Sequence, residues 1–305
     1  MLVATLISSS ASPALDTPTI ARARSALSSQ QPPDWLDPGV AADIFFFSSD
    51  PDLRALADRV RAAIAPEPID VVVQPAEHRR KRLLLADMDS TMIGQECLDE
   101  LADHVGMKEH VAAITERAMR GDIQFEPALR ERVALLKGLP AEAVNEVIRE
   151  RIRLNPGARA LVATMRRHGA YSCLVTGGFT LFTERIAGMI GFDESRANKL
   201  LVDANGRLTG EVAEPIFGRE AKRATLLELT ARHGLAPQET LATGDGANDI
   251  AMIEAAGLGI AYHAKPKVAA CAAARIDHGD LRALLYAQGY RGEEIDAGGR
   301  TAEDG

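Results

Sequence analysis

A chain of 305 residues is longer than one average domain, so two or three packed units are expected. With 46% hydrophobic and 26% charged residues it has the composition of a globular protein, and no apolar stretch reaches the roughly 20 residues that a membrane helix needs. A net charge of −8 argues against general affinity for nucleic acid or an anionic membrane; three scattered cysteines (Cys97, Cys173, Cys271) form no disulfide framework or zinc spacing and fit a reducing cytoplasm.

Residues 1 to 76 read as a small α/β unit. The start lacks the basic segment and the apolar length of a signal peptide, so Leu2–Ile7 is taken as a first strand. Thr17–Leu27 follows as a helix and Ala41–Phe47 as a second strand. Asp52–Ile64 carries Leu53, Leu56, Ala57, Val60 and Ile64 at helical spacing, and Ile69–Val73 closes the unit as a third strand. The basic cluster His78-Arg79-Arg80-Lys81-Arg82 reads as a solvated linker, with a nuclear-import or phosphate-binding patch as the lesser alternative.

Leu83-Leu84-Leu85-Ala86 is an apolar run that stops abruptly at Asp87-Met88-Asp89-Ser90-Thr91. Alternate side chains of a strand face one side, so Asp87 and Asp89 can address one point beyond the strand end, where open α/β sheets bind ligands. Two carboxylates there repel unless a metal, a cation or shared chemistry offsets the cost. The segment alone leaves an Asp/Ser turn and an active site equally open.

From about Gly94 to Arg153 the pattern is almost wholly helical, with stripes such as Leu98, Leu101, Ala102, Val105 and Leu129, Val133, Leu136. Asn155-Pro156 marks the return to the core, with Asn155 placed to cap a helix whose first position is Pro156. Ser172–Val175 empties into Thr176-Gly177-Gly178, where a hydroxyl and approachable backbone N–H groups suit phosphate oxygens; a Gly-rich turn is the bland reading. Asp203-Ala204-Asn205-Gly206 carries the Asn-Gly signal of a two-residue hairpin. Lys222 precedes a helical pattern (Leu226, Leu227, Leu229), where a solvated lysine is the commoner fate. Thr240–Thr243 ends in Gly244-Asp245-Gly246-Ala247-Asn248-Asp249, which offers either hard oxygen ligands of the kind Mg²⁺ prefers or a tight turn and a helix cap. The Gly- and charge-rich segment 291–305 is expected to be a disordered tail.

In this order the motifs resemble the haloacid dehalogenase-like phosphohydrolase superfamily: Asp87-x-Asp89-x-Thr91, Thr176-Gly177-Gly178, Lys222, and Gly244-Asp245-Gly246 through Asp249. The flanks narrow the resemblance to its phosphoserine phosphatase group, through Asp87 to Glu96, Arg132 to Leu139, Gly244 to Asp249 and Gly257 to Lys267. Thr176 stands where many members carry serine, and Asn248 where some carry an acid; the hydroxyl at 176 is kept, so its role is expected to survive.

The resemblance implies an α/β fold with a Rossmann-like parallel-sheet core (77–93 and 154–290), an inserted helical-bundle cap (94–153) and a small N-terminal unit (1–76). In element order that unit is similar to a degenerate ACT-type regulatory domain, with a dimerising appendage as the alternative. The resemblance also implies Asp87 as nucleophile and Asp89 as general acid and then base. Mg²⁺ would be held by Asp87, Asp89 (through its backbone carbonyl) and Asp245, with Asp249 behind a metal-bound water. Thr176 and Gly177 would bind the phosphate, Lys222 would neutralise it, and Asn248 would join the substrate contacts. In the cap, Glu96 would receive an ammonium and Arg132 a carboxylate, with Phe125 and Met119 as an apolar wall.

The activity so implied is Mg²⁺-dependent hydrolysis of O-phospho-L-serine through an aspartyl-phosphate, the last step of serine biosynthesis, in the cytoplasm. The partner expected is a small-molecule substrate, with no nucleic acid and no membrane; a homodimer stays open. The alternatives are a phosphotransferase or a phosphatase for another small phosphomonoester on the same core, and a non-catalytic amino-acid sensor.

Overall fold

The computed structural model describes residues 1 to 296 and every side chain among them except that of Met119, so the expectations for Met119 and for 297–305 lie outside the described residues. The chain opens with β1 (Leu2–Ser8), α1 (Thr17–Ala26), β2 (Asp34–Asp37), β3 (Ala41–Phe46), α2 (Leu53–Ile64) and β4 (Ile69–Pro75). These strands form an antiparallel sheet in the order β2-β3-β1-β4, the split βαββαβ arrangement. Three strands were expected from the sequence. The fourth, β2, is a short edge strand with one buried apolar side chain, Leu36, and an irregular register, so no alternation announces it. Asp16 and Asp52 cap the two helices by accepting from backbone N–H groups of the first turn. One sheet face packs on α1 and α2 through Leu6, Ile44 and Val71 against Ile20, Leu56 and Val60. The other joins the main core through Ile7, Ala41 and Val72.

Next come β5 (Leu83–Ala86) and four helices, α3 (Cys97–Ala102), α4 (Lys108–Arg120), α5 (Phe125–Ala134) and α6 (Ala143–Glu150). The chain returns through α7 (Ala158–Arg167), β6 (Tyr171–Phe179), α8 (Thr180–Ile190) and β7 (Glu194–Asn198). The hairpin β8 (Leu200–Val202) and β9 (Leu208–Val212) follows, then α9 (Arg219–Arg232), β10 (Thr240–Gly244) and α10 (Ile250–Ala255). β11 (Leu258–Tyr262), α11 (Pro266–Cys271), β12 (Ala274–Ile276) and α12 (Ala283–Ala287) follow. Six of these strands make one parallel sheet in the order β12-β11-β10-β5-β6-β7. Both faces are covered, which is why β5 is a continuous apolar run. From β5 the chain winds outward to β6 and β7, and later from β10 to β11 and β12. The strand order therefore reverses between β5 and β10, the place where such sheets open a ligand crevice.

Four details differ from the sequence reading. Asn155 does not cap a helix at Pro156; α7 begins at Ala158 after Gly157, and the Asn155 amide donates to the carbonyls of Thr91 and Ile93. With the Ile93–Leu154 bridge, this stitches together the two chain crossings into the helical insertion. The hairpin loop is five residues, Asp203 to Arg207, closed by the Asp203 carboxylate accepting from Asn205 N and Arg207 N rather than by a two-residue turn. It braces the insertion, exchanging backbone hydrogen bonds with Gly138 and Leu139.

The basic cluster does link β4 to β5 with His78, Arg80 and Arg82 exposed, but it is not wholly solvated. Arg79 pairs with Asp43, Arg80 with Glu294 while lying over the Tyr290 ring, and Arg82 with Glu239; Lys81 is buried against the carbonyls of His78 and Gln238. Nor does a tail begin at 291: Arg291 forks onto Asp34 at 2.9 Å, Ile295 packs on the core, and Asp296 N donates to Thr164 Oγ1. In both places the partners lie far away in sequence, where local composition cannot register them. Among the described residues no helix is long and apolar enough to cross a membrane.

Candidate active site

Ala86 of β5 sits opposite Thr243 of β10, so Asp87 and Asp245, the first residues beyond the two strands, leave the sheet at neighbouring points. Asp249, at the start of α10, completes a buried trio whose ligand oxygens all lie within 4.8 Å of one another. Lys222 reaches the trio from α9, fully buried, and donates to Asp87 Oδ1 at 2.5 Å and Asp249 Oδ1 at 2.6 Å. The second oxygen of Asp249 accepts from Gly246 N at 3.1 Å, so both its oxygens are committed. Asp245 Oδ1 accepts from Thr91 Oγ1 at 3.2 Å. Among the described residues no donor meets Asp87 Oδ2 or Asp245 Oδ2, which leaves these two oxygens for another ligand. Gly244 is needed here because a Cβ at that position would lie 2.4 Å from Asp249 Cγ.

The electrostatics call for a further cation. Burial pulls the Lys222 ammonium toward neutrality, but Asp249 and Asp87 outweigh it and hold its pKa above the ordinary value. Burial pushes the Asp87 carboxyl well up, and Asp249 adds to this against the opposing pull of Lys222. Asp245 is pushed up to about 7, first by burial and then by Asp249. One ammonium cannot neutralise three buried carboxylates, and charges taken out of water repel strongly. Hard carboxylate oxygens with two sites uncommitted are the donor set that a divalent cation takes, so the residues fit a metal ion.

Asp89 lines the same cavity as Asp87 but takes its hydrogen bonds from outside the trio. Its Oδ1 accepts from Cys97 N at 3.0 Å and its Oδ2 from Thr176 Oγ1 at 3.3 Å, and burial raises its carboxyl above the ordinary range. Thr176 Oγ1 in turn accepts from Gly178 N at 2.9 Å. A Cβ at Gly177 would meet Phe125 Cζ at 2.6 Å, so a larger residue there would displace that ring from the cavity. Asn198 fixes this strand end, its amide donating to Gly177 O and Phe217 O.

The helical insertion roofs the same cavity. Asp87, Asp89, Glu96, Phe125, Arg132, Thr176, Gly177 and Asn248 line it together, and Lys222, Asp245 and Asp249 cluster around Asp87 behind that lining. Thus every residue singled out from the sequence with a described side chain is brought to one place. Glu96 Oε1 accepts from Ser90 Oγ at 2.7 Å, and burial, with Asp89 next, raises its carboxyl well above the usual range. Arg132, 6% exposed, donates through Nε to Ala128 O and through Nη1 to Thr115 Oγ1. Its Nη2 has no hydrogen-bond acceptor among the described residues. Asn248 Oδ1 is likewise buried without a partner. A donor and an acceptor therefore stand uncommitted around the cavity.

The sequence reading missed Thr115 and Asp99, which adjoin Arg132, and the apolar lining residues Leu98, Ala118 and Phe179. The signal was faint: Asp99 and Thr115 are polar residues buried on helices whose apolar stripes mask them. Also missed was the ion pair of Glu116 on α4 with Lys265 of the core, at 2.8 Å, which fastens the insertion over the sheet.

Residues 84–254 match the sequence profile of the haloacid dehalogenase-like hydrolases. A phosphoserine phosphatase of Polaromonas sp. is 48% identical over 209 residues, spanning 67% of this chain and 88% of that protein. A solved substrate-bound phosphoserine phosphatase is 39% identical with a TM-score of 0.64, covering 68% of this chain and 97% of that one. A haloacid dehalogenase family hydrolase from Salmonella enterica serovar Typhi is similar over 94% of this chain and 98% of its own, with 27% identity and a TM-score of 0.81.

Proposed function

The chain belongs to the haloacid dehalogenase-like hydrolase family, and on that premise we propose that it hydrolyses O-phospho-L-serine to L-serine and phosphate with Mg²⁺ as cofactor. Asp87 attacks phosphorus in line through one carboxylate oxygen, forming an aspartyl-phosphate as the bond to the seryl oxygen breaks. Asp89, its carboxyl raised by burial, gives its proton to that leaving oxygen and then takes one from the water that cleaves the acyl-phosphate. Thr176 Oγ1 and the Gly177 N–H hold phosphoryl oxygens. Lys222 offsets the charge of an anion attacking an anion. Asp87, Asp245 and the Asp89 carbonyl would hold Mg²⁺, which supplies positive charge at the phosphoryl oxygens. Asp249, with both oxygens already taken by Lys222 and Gly246, serves as a support behind them.

The head group is read from the roof. Glu96 faces the ammonium, the free Nη2 edge of Arg132 grips the carboxylate, and Phe125 closes the apolar side, with Asn248 contributing an uncommitted amide. Residues 94–153 act as a cap over the core of 77–93 and 154–290, keeping the acyl-phosphate from bulk water. Residues 1–76 act as an appended ACT-like unit. Because both faces of its sheet are covered within the chain, any homodimer would use the helices or the edges. A cytoplasmic setting is in keeping with three free cysteines, two of them buried.

One observation carries this reading: Asp87, held by Lys222, lines one cavity together with an oppositely charged pair suited to an amino acid, Glu96 and Arg132. A phosphate-release screen over small phosphomonoesters, with Mg²⁺ present and chelated, tests it. Phosphoserine should lead the screen and chelation should stop the reaction. Preference for a phosphomonoester without an amino-acid head group would redirect the proposal.

A further inference from the structure

Beyond the groups that touch substrate, the roof contains a buried polar relay. Thr115 on α4 accepts from Arg132 Nη1 at 2.8 Å, and of the two acceptors within reach of its one proton, Asp99 Oδ1 on α3 at 2.6 Å and Val111 O at 3.0 Å, the shorter and charged one is favoured. The relay thus crosses three helices, α3, α4 and α5, and all three of its residues are buried. A hydroxyl is the one small group that can accept and donate at once, so Thr115 translates the fixed position of Asp99 into a fixed plane for the guanidinium. Nε is meanwhile tied to Ala128 O, within the same helix as Arg132. The Nε N–H and one N–H of Nη1 are therefore spoken for, which leaves Nη2 and the second N–H of Nη1 as the edge presented to a ligand.

We propose that Thr115, anchored by Asp99, is a positioning residue that sets selectivity for the substrate's carboxylate by orienting Arg132; this rests on the phosphoserine reading above. A guanidinium recognises a carboxylate through two parallel donors, and small tilts forfeit one of them. Without the relay Arg132 keeps its charge, but its planar guanidinium is held at Nε alone and can tilt about that bond, so recognition weakens while the phosphoryl chemistry on the core does not. Asp99 also keeps a carboxylate beside the buried guanidinium, so the cation is not left alone in the roof.

The test compares the wild type with Thr115→Val, which keeps the shape and removes the hydroxyl, and Thr115→Ser, which restores it. KM and kcat are measured for phosphoserine, and inhibition by inorganic phosphate reports the core site. Loss of one charge-assisted hydrogen bond predicts a rise in KM for phosphoserine of about tenfold in Thr115→Val. Phosphate inhibition and kcat should stay within about twofold, and Thr115→Ser should return KM to near the wild-type value. A Thr115→Val KM within twofold of wild type overturns the proposal. So does a Thr115→Ser variant as weak as Thr115→Val, or a phosphate inhibition constant that shifts in parallel with KM. If the wild-type protein itself does not turn over phosphoserine, the substrate reading falls instead, which keeps the two failures distinct.

Discussion

Replacing Lys222 with methionine removes the one ammonium bonded to both Asp87 and Asp249 while keeping most of the stem that packs beneath the sheet end. Three buried carboxylates would then face one another with no protein cation among them. Removing one partner of a buried ion pair costs about 3–5 kcal/mol. Here the low end applies, because Asp245, with its pKa already about 7, can take up a proton and relieve part of the repulsion. Urea unfolding in chelator should therefore show a loss of about 3 kcal/mol. Saturating Mg²⁺ should restore more stability to the variant than it adds to the wild type, because the ion enters a site with one positive charge fewer. For scale, a ligand at 100 times its Kd adds about 2.7 kcal/mol. Turnover of phosphoserine should fall by about 10²–10³, the usual consequence of losing one preorganised group that stabilises the transition state. Stability in chelator within about 1 kcal/mol of wild type would refute the reasoning, since that is the size of an ordinary substitution. Turnover within tenfold of wild type would refute it equally.

Asp87→Asn should abolish turnover of every phosphomonoester while leaving the unfolding transition cooperative, and wild-type-like steady-state rates from a clean preparation would remove Asp87 from the nucleophile role. Arg132→Ala should lower kcat/KM for phosphoserine by about two orders of magnitude, the cost of an unpaired buried carboxylate, yet barely touch an aryl phosphate; equal losses on both would mean that Arg132 does not read the carboxylate. The pH dependence of stability also carries a sign. Asp245 moves from an ordinary 3.8 to about 7 on folding, so the folded state binds its proton more tightly; that stabilisation is complete below about pH 4 and is lost as pH climbs to about 7. Asp99, raised to about 6 by burial, acts in the same direction. In chelator the unfolding midpoint should fall between pH 4 and 7, and Mg²⁺ should flatten that slope by taking the proton's place at Asp245. An equal slope with and without Mg²⁺ would separate the acidic trio from any metal.

Strands buried on both faces were plain in the sequence, because Leu83–Ala86 and Thr240–Thr243 are apolar runs with abrupt polar ends, and those ends are the site. Two edge strands were not: β2 and β7 (Glu194–Asn198) each bury a single residue, so no periodic signal marks them. The core chemistry was legible because short spacings at strand ends translate directly into convergence, as with Asp87 and Asp245. What stayed hidden depends on partners distant in sequence. Arg291 is held by Asp34, Asn155 turns to Thr91 rather than capping its own helix, and Lys81 is buried against Gln238. The same holds for Thr115, whose hydroxyl has a role only because Asp99 and Arg132 meet it from neighbouring helices.

The central claim is a covalent phosphoryl group on Asp87, and acid-quenched enzyme mixed with phosphoserine and Mg²⁺ tests it directly. Peptide mass spectrometry should find one phosphoryl group, labile to hydroxylamine, on the peptide that carries Asp87, and none on the Asp87→Asn variant. Rapid turnover with the phosphoryl group on a different residue, or a label that persists in Asp87→Asn, would contradict the account.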